Sequence, residues 1–125
     1  MCDPNLNSPS LLVSRELLRE AMARAGYGLS AIADAEVALA ELIVNAWRHG
    51  RTPSPAVVIS IESRTLRVDV ADLSPLLPER RRPTELAESG RGLQLVEGLT
   101  HRWGAEPQKM GKRVWFELSQ DGGAA

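Results

Sequence analysis

The sequence predicts an α+β domain, a two-layer sandwich whose mixed, mostly antiparallel sheet is covered on one face by three helices. Three observations predict it. Apolar residues recur at helical spacing from Pro9 to Ala25, after Ser30, and again from Gly92 to about Arg102. Alternating or Val/Ile-rich runs at Ala56 to Glu62 and Thr65 to Ala71 are separated by only Ser63-Arg64, the length of a hairpin turn. A second alternating pair, Trp103 to Pro107 and Arg113 to Leu118, flanks Met110-Gly111. The order helix, helix, strand, strand, helix, strand, strand segregates the elements partly, as layered α+β domains do.

Each element has a local cause. Leu11, Leu18 and Met22 make the apolar stripe of the first helix, with Leu17 and Ala21 beside them, and Gly26-Tyr27-Gly28 ends it because glycine adopts the left-handed conformation at a helix terminus. Ser30 is the expected N-cap of the second helix. Its core stripe is Ile32, Ala35, Leu39, Leu42 or Ile43, and Ala46, and it is expected to stop at Gly50. Pro53 and Pro55 keep the next stretch extended, since proline lacks an N–H and restrains its predecessor. Between Asp72 and Gly90 lies a long loop punctuated by Pro75, Pro78 and Pro83. Loops of this length in a small domain are functional or disordered. The expected division is a loose arm or short strand over residues 1–8, a folded domain over 9–118 and a flexible tail over 119–125.

Composition narrows the function classes. The chain has 125 residues, enough for one domain with a real core. It is 43% hydrophobic and 25% charged, with a formal net charge of -1, so no global basic character calls for nucleic acid or an anionic membrane. Cys2 is the single cysteine, which excludes an intramolecular disulfide and a cysteine metal cluster. Apolar runs are too short to span a bilayer and no secretory signal is visible, so a cytoplasmic location is expected.

Glu41 and Asn45 are four residues apart on the second helix and share a face. A carboxylate in this Ala/Leu/Ile/Val-rich run is costly without a partner, which a ligand, a metal ion or a reacting hydroxyl can supply. His49 falls on the same face. Asp72, just past a strand end, suits either a turn role or the acceptance of a hydrogen bond from a ligand such as an adenine amino group. Gly90-Arg91-Gly92-Leu93 opens a helix, where free N–H groups favour a phosphate, although glycines there are also ordinary turn chemistry. Arg80-Arg81-Arg82 reads as a solvated basic loop or a contact for phosphate or an acidic partner. Trp47, Trp103 and Trp115 are expected in the core or an interface, and His101 at the surface.

In this linear order the motifs carry more than any one alone. Ala40-Glu41-Leu42-Ile43-Val44-Asn45-Ala46-Trp47-Arg48-His49-Gly50, then Val70-Ala71-Asp72-Leu73-Ser74-Pro75, then Glu88-Ser89-Gly90-Arg91-Gly92-Leu93 and Gly111-Lys112, resemble the GHKL ATPase superfamily. Within it the chain is most similar to bacterial anti-sigma-factor serine/threonine kinases of the actinobacterial type. The resemblance implies a Bergerat-type sandwich that binds ATP and Mg²⁺ and transfers the γ-phosphate to a serine of an anti-sigma antagonist. It implies Glu41 as general base and Asn45 as the Mg²⁺ ligand. Arg48, His49, Asp72, Ser74, Leu77, Gly90, Arg91, Gly92, Leu93 and Lys112 are the implied nucleotide contacts, Asp72 accepting from the adenine amine, under a lid over Leu76 to Ser89. Lys112 stands where many members carry threonine, and Ser74-Pro75-Leu76 stands where they carry glycines. The implied partners are ATP and a sigma factor or its antagonist, with a homodimer as the implied assembly and no nucleic acid or membrane. The alternative is a non-catalytic partner-binding module with a structural or degenerate nucleotide site.

Overall fold

The computed structural model describes residues 9–48, 52, 55–73 and 91–120. The elements run α1 (Pro9–Arg24), α2 (Leu29–Arg48), β1 (Ala56–Glu62), β2 (Thr65–Asp72), α3 (Arg91–Leu99), β3 (Arg102–Gln108) and β4 (Gly111–Ser119). The strands form one sheet in the order β1-β2-β4-β3. Every pairing among the described residues is antiparallel, in keeping with the expected mostly antiparallel sheet. The β1–β2 and β3–β4 connections are hairpins, which require that orientation.

The pleat sorts the sheet into two faces. Leu66, Val68 and Val70 of β2 and Val114, Phe116 and Leu118 of β4 all point to one side and are buried. Against them pack Leu18 and Met22 of α1, Leu39, Leu42 and Ile43 of α2, and Val96 of α3. α2 is the central helix, touching α1, α3, β2 and β4. On the opposite face, Arg67 hydrogen-bonds Asp69 and Glu117, and Arg113 pairs with Glu106 and Asp69. The Arg67 guanidinium also lies 4.3 Å from the Trp115 ring centroid, a cation–π distance. Gly104 leaves room for that ring, because a Cβ there would sit 2.8 Å from Trp115 Cζ2.

Local signals hold with shifts of one to three residues. Gly26 is left-handed (φ 88), with Tyr27 N–H bonding Met22 O and Gly26 N–H bonding Ala23 O, a Schellman closure of α1. α2 starts one residue before Ser30, not after it. The Gly28 carbonyl accepts from Ile32 N–H and so makes the first turn, leaving Ser30 exposed inside the helix rather than capping it. Leu17 is exposed, not beside the core stripe. α3 ends at Leu99, three residues short of the expected end, where Thr100 turns its hydroxyl back to Val96 O. Ser63 and Arg64 both have positive φ, the backbone of a type I′ two-residue hairpin.

No described helix is long and apolar enough to cross a membrane. The expected N-terminal arm over residues 1–8, the helix stop at Gly50, the lid over 76–89 and the arginine run 80–82 lie outside the described residues, as do 121–125 of the expected 119–125 tail, whose first residue, Ser119, instead ends β4.

Candidate functional site

Glu41 and Asn45 are both half-buried on α2, whose stripe from Ile32 to Trp47 is turned to the core. Their spacing leaves them as neighbours one turn apart on the flank of that stripe. Among the described residues neither has an ion-pair partner. A carboxylate beside a neutral amide oxygen is a donor set suited to a hard cation and to a hydroxyl proton. Arg48 is exposed in the last turn of the same helix. His49, Ser74, Leu77 and Gly90 lie outside the described residues.

Asp72 is the last residue of β2, not a residue beyond the strand end. The β2–β4 register seats it opposite Lys112, and alternation turns both side chains to the helix-covered face. The Asp72 and Lys112 side chains are only 2% and 3% exposed. Lys112 Nζ donates to Oδ1 at 3.1 Å and lies 3.0 Å from Oδ2. The pair is thus buried and bidentate.

Thr52, which motif reading passed over, and Gly111, which it named only as a hairpin glycine beside Lys112, build this locus. Thr52 is buried; its N–H bonds Ala46 O, one residue past Asn45, and its Oγ1 accepts from Leu73 N–H at 3.0 Å. It therefore clips the end of α2 to the backbone beside Asp72. Gly111 (φ 113) lies so close to β2 that a Cβ would fall 2.0 Å from Asp72 O. The signal for Gly111 was in the sequence as a hairpin glycine next to Lys112. Thr52, between Arg51 and Pro53, carried none, because its role depends on contacts with residues 46 and 73.

α3 opens at Arg91-Gly92. The first N–H groups of a helix have no intrahelical acceptor and carry partial positive charge, so this terminus suits an anion. Leu93 packs, half-buried, against the core and anchors the first turn. Trp47 is buried as expected. Trp103 packs at the core edge, Trp115 lies half-buried on the outer sheet face, and exposed His101 accepts from Ser119 N–H through Nδ1.

Residues 9–118 match the family model described as a histidine kinase-like ATPase domain. No curated protein matches the chain. Since that model spans nearly the whole chain, the protein belongs to the histidine kinase-like ATPase domain family.

Proposed function

We propose that the chain is an ATP-binding regulator that transfers the γ-phosphate to a serine or threonine hydroxyl of a partner protein, in the manner of anti-sigma-factor kinases. The observation that carries the nucleotide reading is the buried Asp72 carboxylate, held at the end of β2 by Gly111, Thr52 and Lys112 within a domain of ATPase type. In this reading Asp72 accepts from the exocyclic amine of the base. The N–H groups of Arg91 and Gly92 face phosphate oxygens, with Gly90, Ser74, Leu77, Arg48 and His49 as further contacts.

The half-buried Asn45 fits a magnesium ion, a hard cation that takes oxygen donors and keeps several waters. Asn45 Oδ1 would hold it, and Mg²⁺ supplies charge neutralisation of the phosphates when bound. Glu41 takes the proton from the attacking hydroxyl. The hydroxyl oxygen then forms its bond to the γ-phosphorus as the bond to the β–γ bridging oxygen breaks, and ADP leaves. Such transfer depends on positioning and charge stabilisation.

A second reading, a partner-binding module with a degenerate nucleotide site, draws on Lys112, which already satisfies the Asp72 carboxylate. Calorimetry with Mg·ATP separates the two: heat of binding is expected, and its absence at millimolar nucleotide favours the second reading. The kinase assignment is tested by incubating a captured partner with γ-labelled ATP. Glu41→Ala is expected to abolish label transfer and retain nucleotide affinity, and full transfer by this variant removes the base role.

A further inference from the structure

The β2–β4 register holds Lys112 directly across from Asp72, and Nζ approaches both carboxylate oxygens almost symmetrically, at 3.1 and 3.0 Å. An ammonium so placed lies across the carboxylate edge, where a planar amine would make its own hydrogen bond. Gly111 presses β4 against the Asp72 carbonyl, and Thr52 fixes the next N–H, so neither backbone yields easily. A buried ion pair adds little stability over apolar residues of the same shape. Folding alone therefore does not require an ion pair at this position.

We propose that Lys112 is a tethered occupant of the Asp72 carboxylate, so that an amine-bearing base enters by displacing the ammonium and Lys112 thereby sets the affinity and selectivity of the site. The inference rests on the reading of Asp72 as the base acceptor. A charge-assisted hydrogen bond is roughly twice as strong as a neutral one. The exocyclic amine of a base therefore competes with the ammonium at a disadvantage of about tenfold. Removing the ammonium takes this competitor away from the carboxylate edge. A purine lacking the amine has nothing to gain from the change.

The test uses the full chain with Lys112→Met, which keeps the apolar stem, and Lys112→Gln, which keeps a neutral donor. Affinities for Mg·ATP and for the triphosphate of unsubstituted purine riboside are measured by calorimetry, with circular dichroism as the check on folding. Lys112→Met is expected to be less stable without nucleotide, to bind ATP about tenfold more tightly, and to bind the purine analogue no more tightly than the wild type. Lys112→Gln is expected to fall between the two and decides the matter if the Met variant does not fold. A folded Lys112 variant that binds ATP equally or more weakly overturns the inference, since that is the behaviour of a purely structural pair. Asp72→Asn separates the two levels. If it binds ATP as the wild type does, the acceptor role of Asp72 fails and this inference with it. If it loses ATP while the Lys112 variants gain nothing, only the inference falls.

Discussion

The residue that constrains the candidate site most tightly is Gly111, which makes no polar contact through a side chain at all. Its φ of 113 excludes ordinary side chains, and the space a Cβ would take is already filled by Asp72 O at 2.0 Å and Leu73 Cα at 2.7 Å. Both obstacles are backbone, which cannot rotate aside. Gly111→Ala is expected to cost about 2–4 kcal/mol, combining left-handed strain with displacement of β2. Urea denaturation checks this as a lower midpoint with an unchanged slope. Motif reading placed a glycine in the late hairpin but not its closeness to Asp72, because that closeness is created by pairing strands some forty residues apart. The same limit applies to Lys112. From sequence it was a cation of open role; the register made it the partner of Asp72. Glu41 and Asn45 were legible as a pair because helical geometry alone brings them together.

At the scale of elements, local pattern carried much of the fold. β1 starts and ends where its Val/Ile run does, and Gly26 closes α1 through the motif its neighbours predict. The outer face of the sheet was less legible. Arg67, Asp69, Arg113, Glu106 and Glu117 form a network around Trp115 because three strands align them. The network has a pH signature. The hydrogen bond from Arg113 holds the Glu106 carboxyl below its ordinary value of 4.5. A depressed carboxyl contributes stability above its unfolded value, and loses it as pH falls through the lower folded value. Glu106→Gln is therefore expected to be less stable than wild type at pH 7, with the gap closing below about pH 4, as measured by urea midpoints across that range. The contribution is small, since Glu106 is half-exposed. α3 offers the opposite case. Gly98 lies inside this helix with open space where a Cβ would go. Gly98→Ala is expected to stabilise the domain by about 0.5–1 kcal/mol through helix propensity alone, seen as a raised denaturant midpoint.

For the whole molecule, the central question is whether nucleotide binding couples to folding through the contacts that join α2 to β2. Thr52 bridges them, hydrogen-bonded to Ala46 O on one side and Leu73 N–H on the other. Asn45 sits one residue before the first anchor and Asp72 one before the second. A ligand engaging both side chains would therefore reinforce a connection already built into the backbone. Any ligand that binds only the folded state stabilises it by an amount fixed by its concentration relative to Kd. At a hundredfold excess over Kd this is about 2.7 kcal/mol, which for a domain of this size raises Tm by on the order of 10 °C. Mg·ATP is expected to produce such a shift in thermal denaturation, and EDTA to reduce it, because the proposed Asn45 contact acts through the metal. Glu41→Ala is expected to keep the shift, since the proposed base is needed for transfer and not for holding the nucleotide. Thr52→Val removes only the hydroxyl that Leu73 N–H donates to and leaves every proposed nucleotide contact in place. It is expected to lower Tm without nucleotide and to require more ATP for the same shift. If Thr52→Val lowers Tm and leaves the ATP dependence unchanged, the clip supports the fold alone, and the two halves of the site bind independently of it.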